Sequence, residues 1–220
     1  MRKISSKSRA NPLRPHRPDF QYEDRYNGSV CGIDEVGRGP WAGPVMAACV
    51  IVPQAARGLL TEVNDSKVLI KAKREALATV IQAHCLHGIG SASVAEIDSI
   101  NIRQATHLAM RRAFDAMCAQ YGCHPVVALI DGRENPNLPC PALSIIKGDS
   151  ISVSIAAAAI IAKVARDALM ARLHDDHPDY GWATNAGYGV PAHQKALARL
   201  GPTPHHRHSY APIRALIAKD

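Results

Sequence analysis

Three short apolar runs in this 220-residue chain each lead into acid. Residues 30–33 run into Asp34-Glu35, residues 126–130 into Asp131-Gly132, and residues 143–146, after Lys147-Gly148, into Asp149. Carboxylates at the ends of neighbouring strands line one edge of a sheet, where their repulsion is unfavourable unless cations offset it. Carboxylate and water ligands suit Mg²⁺ or Mn²⁺. Asp34, Glu35, Asp131 and Asp149 together can hold two metal ions about 3.5–4 Å apart, which activates a water and stabilises the leaving oxygen in phosphodiester hydrolysis. Each acid also has a plainer reading alone: a solvated strand end for Asp34-Glu35, a turn for Asp131-Gly132, and a helix N-cap for Asp149.

Neighbouring side chains on a regular strand point to opposite faces. Asp34 and Glu35 therefore share a site only if their strand ends or bulges there, a distortion that Gly37 makes cheap. No nucleophile triad is recognisable, and the turn Gly37-Arg38-Gly39-Pro40 lacks the Gly-Lys-Ser/Thr ending of a phosphate loop, which disfavours nucleoside triphosphate hydrolysis.

The elements that must position these acids follow from composition and periodicity. Residues 30–33 and 43–52 read as two strands joined through the glycine turn, a hairpin with a wide mouth. Residues 67–84 and 102–119 have helical composition, and 88–94 is a candidate strand. Residues 126–130 and 143–146 read as buried strands, 150–174 as one long Ala- and Ile-rich helix, and 192–200 as a C-terminal helix. Strands first, then alternating helix and strand, predict an α/β fold with a mixed sheet covered by helices.

The chain has 26 Lys and Arg against 19 Asp and Glu, a net charge of +7. Residues 1–28 supply +4 of it among Pro12, Pro15 and Pro18, and are expected to form a basic, disordered tail. Residues 29–220 are then expected to form the folded domain, with a helical C-terminal region. Six cysteines without a CxxC pair, and no secretory leader, read as reduced thiols of a cytoplasmic protein. The longest apolar runs, 45–52 and 155–162, fall far short of the roughly 20 residues that span a bilayer. His205, His206 and His208 lack a cysteine pair at ligand spacing, which disfavours zinc.

The chain resembles bacterial ribonuclease HII of the type 2 RNase H family. The resemblance rests on Gly32-Ile33-Asp34-Glu35-Val36-Gly37-Arg38-Gly39-Pro40, Ala42-Gly43-Pro44-Val45, Asn64-Asp65-Ser66-Lys67 and Ile130-Asp131-Gly132. It continues through Lys147-Gly148-Asp149-Ser150, Ile160-Ile161-Ala162-Lys163-Val164, Arg166-Asp167, Gly187-Tyr188-Gly189 and His205-His206-Arg207. It departs from the pattern at Trp41, Val68, Ile70 and Asn185-Ala186, none of them among the four acids. Asp149, where the related type HIII enzymes carry Glu, favours type HII.

The resemblance implies an RNase H-like fold, a mixed sheet of about five strands flanked by helices with a helical C-terminal part. It implies a two-metal Mg²⁺ or Mn²⁺ site on the four acids and an endonuclease that cuts the RNA strand of RNA/DNA hybrids. It further implies cutting 5′ of ribonucleotides embedded in duplex DNA, leaving 3′-hydroxyl and 5′-phosphate ends, and a part in ribonucleotide excision repair. Reading RNA against DNA requires contact with a 2′-hydroxyl. Main-chain groups of Gly37, Arg38 and Gly39 can approach a backbone closely, and Tyr188 is similar to the family tyrosine that packs on the sugar at the RNA–DNA junction. Lys67 and Arg38 would meet phosphates. A monomer is expected, and no protein partner can be named. Two competing classes remain at this point: a non-catalytic nucleic-acid-binding module, and an RNase H-like nuclease acting on DNA alone.

Overall fold

The computed structural model describes residues 17–218. Five strands form one sheet in the order β3-β2-β1-β4-β5, from β1 (Val30–Val36), β2 (Val45–Ile51), β3 (Leu86–Ala92), β4 (Val127–Asp131) and β5 (Ala142–Ile145). β1, β2 and β3 pair antiparallel, whereas β4 and β5 join β1 in parallel, so the sheet is mixed as the sequence predicts. Helices α1 (Lys71–His84) and α3 (Val153–Asp176) cover one face, and α2 (Val94–Tyr121) covers the other. The short helices α4 (Trp182–Asn185), α5 (Pro191–Leu200) and α6 (Ala211–Ile217) complete the C-terminal part.

Alternation along β1 explains the two-sided core. Cys31 and Ile33 pack among Ala105, Ala109 and Met117 of α2, while Gly32 faces α3. A Cβ on Gly32 would sit 2.2 Å from the backbone of Ser154 and Ile155, so only glycine lets the first turn of α3 lie against β1. Full burial of aliphatic residues such as Ile33, Leu129 and Ile155 contributes roughly 1.5–3 kcal/mol each.

Several boundaries differ from the sequence expectations for local reasons. β3 stops at Ala92 because Ser93 caps α2 in a reciprocal capping box with Glu96, so α2 begins eight residues before the expected 102. Asn101, at φ 66°, kinks it. α3 starts at Val153 rather than residue 150, because residues 148–150 form a 3-10 turn and Ser152 caps the helix. α1 starts at Lys71, leaving residues 65–68 as a turn.

The expected boundary at residue 28 needs correction. Residues 1–16 of the expected tail lie outside the described residues, but residues 17–28 pack on the domain. Asp19 exchanges main-chain hydrogen bonds with Ile151 and Val153, and Glu23 is buried against Ser152 and Ser154. Their low hydrophobicity concealed this, because the attachment runs through polar groups. The six cysteines are free thiols, and no helix among the described residues is long and apolar enough to cross a membrane.

Candidate active site

Asp34 and Glu35 stand near the end of β1, and Asp131 ends β4 beside it. Carboxylate oxygens of these three residues lie within 4.8 Å of one another. The strand does not bulge at the acids, since Asp34 pairs with Ala48, Glu35 with Ala47 and Val36 with Met46 in unbroken register, and it ends one residue beyond Glu35. What ends is the pairing to β4, at Ile33 with Ile130. Asp34 therefore emerges on the α3 face and Glu35 on the α2 face, and both reach the open edge where β1 and β4 part. Of the two expected routes, a strand end and a bulge, the strand end is the one observed, with the pairing to β4 lost three residues earlier.

Asp149 is not within that group of three, although it is buried beside it in the turn before α3. The turn is tied to the cluster by Gly148, whose N–H donates to Asp131 Oδ1 at 2.7 Å. Lys67 reaches Asp149 Oδ2 at 3.7 Å from an otherwise exposed position.

The electrostatics are those of crowded carboxylates. Burial first, then the charges of Glu35 and Asp131, hold the Asp34 carboxyl well above the usual carboxylate range, although the Glu35 N–H donates to Asp34 Oδ1 at 2.7 Å. Burial also raises Glu35, against the pull of Arg38, and raises Asp149, with Asp65 and Asp131 adding and Lys67 opposing. Oxygen ligands that repel one another in a buried cluster fit a hard divalent cation.

The glycine turn beside the acids is fixed by two buried arginines to which the sequence reading gave no role. Arg207 Nε donates to Gly43 O at 2.9 Å, Nη1 to Arg38 O at 3.0 Å and Nη2 to Gly37 O at 2.6 Å. Arg166 donates to Pro44 O and Ala42 O at 3.0 Å and to Ala186 O at 2.9 Å. Both arginines are fully buried, and carbonyls rather than carboxylates receive their N–H groups. Burial pushes Arg166 down to about 10, which still leaves it charged at neutral pH. Gly37, at φ +89°, allows this: a Cβ there would meet Arg166 Nε at 2.2 Å. Because a trans peptide is planar, carbonyls of Gly37 and Arg38 turned toward Arg207 send the N–H groups of Arg38 and Gly39 to the opposite side.

Tyr188 is 47% exposed, and a Cβ on Gly39 would lie 3.3 Å from its Cε1, so the predicted sugar-packing ring borders the predicted main-chain reader. A cavity of about 50 Å³ next to Glu35 and Asp131 is lined by Arg38, Arg103 and Arg133. Arg103 and Arg133 were missed in the sequence, where neither has a spacing that marks it. Trp41 packs on Gly189 beside Tyr188, while Val68 and Ile70 are exposed next to Lys67.

This sheet order, with acids at one edge and helices on both faces, defines an RNase H-type nuclease fold. The ribonuclease H2 of Pyrococcus horikoshii OT3 superposes with a TM-score of 0.74 at 22% identity, over 87% of this chain and 98% of that one. Bst-RNase HIII, solved in complex with Mn²⁺, gives 0.73 at 20% identity, over 87% of this chain and 70% of that one. The family model for ribonuclease HII matches residues 31–213. The ribonuclease HII of Paramagnetospirillum magneticum is 56% identical over 198 residues, covering 89% of this chain and 96% of its own. The chain belongs to the ribonuclease HII family, endonucleases that cleave the RNA of RNA/DNA hybrids.

Proposed function

We propose that the chain hydrolyses the RNA strand of hybrids, and also cuts 5′ of single ribonucleotides in duplex DNA, through two divalent cations held by Asp34, Glu35, Asp131 and Asp149. The observation that carries this reading is the convergence of three carboxylates within 4.8 Å at a strand edge, where burial raises Asp34 and Glu35. Mg²⁺ or Mn²⁺ fits that donor set, and the structure of the fold neighbour Bst-RNase HIII contains Mn²⁺. The chemistry such cations supply is activation of a water and stabilisation of the leaving 3′-oxygen, which leaves 3′-hydroxyl and 5′-phosphate ends.

The chain's own residues bind and orient the substrate. The N–H groups of Arg38 and Gly39, directed away from Arg207, are donors for a ribose 2′-oxygen, and the Tyr188 ring beside Gly39 packs on the adjoining sugar. Arg38 and Lys67 border the acids and neutralise flanking phosphates. The catalytic unit begins near Asp19, where main-chain pairing to α3 starts, and extends through the C-terminal helices. Six free thiols accord with a reducing cytoplasm.

The test is cleavage of an RNA/DNA hybrid by the wild type and by Asp34→Asn and Asp131→Asn, in Mg²⁺ and in EDTA. Loss of about a thousandfold or more in either variant, with hybrid binding retained, supports the assignment. Full activity of either variant in Mg²⁺ rejects it.

A further inference from the structure

The C-terminal part buries two histidines that the chemistry above leaves unused. His193, on α5, and His206 are both fully buried. Their hydrogen-bond partners fix every proton. The Thr203 N–H can only donate, and it lies 2.9 Å from His206 Nδ1, so that nitrogen accepts and the His206 proton is on Nε2. The Trp182 indole N–H can only donate, and it points at His193 Nε2 from 3.4 Å, so that nitrogen also accepts. The His193 proton is therefore on Nδ1, 2.9 Å from the Tyr188 carbonyl, which can only accept. Where the rings touch, the His206 Nε2–H donates at 3.0 Å to the single lone pair of His193 Nε2, which the Trp182 N–H shares at the longer 3.4 Å. Burial lowers the pKa of both rings, His206 to about 3, which keeps the pair neutral and in one tautomer.

The relay ends on the main chain of Tyr188. That carbonyl also accepts from the Val190 N–H at 2.8 Å, while the Tyr188 N–H donates to Asn185 O at 2.9 Å. The backbone is thereby held on both sides, and the half-exposed ring that borders Gly39 takes its direction from it. We infer that His193 and His206 are positioning residues for substrate recognition, a directional relay from Thr203 that aims the Tyr188 ring at the sugar it packs on. The inference rests on the assignment of Tyr188 as a substrate-contacting residue, and its test separates the two.

The experiment is steady-state cleavage of a DNA duplex carrying one ribonucleotide by Tyr188→Ala, His193→Ala, the double variant, and His193→Asn, with Mg²⁺ dependence measured in parallel. His193→Ala is expected to raise KM about three- to tenfold, the worth of a lost neutral hydrogen bond, with the Mg²⁺ requirement unchanged. His193→Asn keeps an N–H close to the Nδ1 position and is expected to restore most of the loss. The double variant should be no worse than Tyr188→Ala, because His193 acts through Tyr188. Should His193→Ala fail to fold, His206→Asn keeps an oxygen for the Thr203 N–H while removing the link between the rings, along with ring contacts to Tyr180 and Trp182, and should raise KM in the same way. A wild-type KM in the histidine variants beside an impaired Tyr188→Ala overturns the relay alone, as do fully additive losses. A wild-type KM in Tyr188→Ala overturns the tyrosine assignment and the relay with it.

Discussion

A buried carboxylate beside two other acids is costly to the fold, and Asp34 bears that cost most heavily. Its folded pKa is raised, so without metal its contribution to stability is full below the ordinary carboxylate pKa and is lost as pH rises through the raised value. Asp34→Asn removes the charge and keeps an oxygen for the Glu35 N–H. The variant is therefore expected to melt above the wild type in EDTA at about pH 8, with the gap closing toward about pH 4; each kcal/mol recovered is roughly 2–4 °C in a chain of this size. A calorimetric series across pH checks this. Mg²⁺ or Mn²⁺ should raise the melting temperature of the wild type and leave Asp34→Asn unmoved, since a ligand stabilises only the state that binds it. Arg207 poses the opposite case. Truncation to Ala orphans the carbonyls of Gly37 and Gly43, while that of Arg38 keeps the Tyr210 hydroxyl, and about 2–6 kcal/mol of destabilisation is expected from denaturant unfolding.

At the scale of elements, the frayed edge between β1 and β4 makes the site, and the turn before α3 depends on a brace from outside the sheet. Glu23 Oε1 accepts from Ser152 Oγ at 2.7 Å, from Ser154 N at 3.0 Å and from Ser154 Oγ at 2.6 Å. Glu23→Ala leaves these buried donors short of an acceptor and is expected to cost about 1–3 kcal/mol, read as a lowered denaturation midpoint.

The strands were legible because short apolar runs, three of them leading into acid, are distinctive, and the predicted spans for β1, β2, β4 and β5 overlap the observed ones. Four acids were expected together and three of them, Asp34, Glu35 and Asp131, lie within 4.8 Å of one another, while the route by which Asp34 and Glu35 meet was not fully legible. Alternation forbids it within one strand, and only the loss of the β4 partner after Ile33 resolves it, which is a property of the neighbouring strand. Arg166, Arg207, His193 and His206 were equally hidden. Their partners are main-chain carbonyls, the Thr203 N–H and each other, often distant along the chain, and residue types do not record such pairings.

At the scale of the whole molecule, the net charge of +7 is uneven, with five basic and no acidic residues in 1–16. Removing residues 1–16 is expected to raise KM in a salt-dependent way while the rate at saturating substrate stays nearly constant, because counterion release adds affinity and no chemistry. Removing residues 1–28 also takes Asp19 and Glu23 and should lower stability. Melting and kinetic assays on the two truncations distinguish the effects. The measurement that bears most directly on the account is cleavage of an end-labelled DNA duplex containing one ribonucleotide, in Mg²⁺, Mn²⁺ or EDTA, beside an all-DNA control. The account predicts a single metal-dependent cut on the 5′ side of the ribonucleotide and an intact control; equal cutting of the all-DNA duplex, or cutting that persists in EDTA, would contradict it.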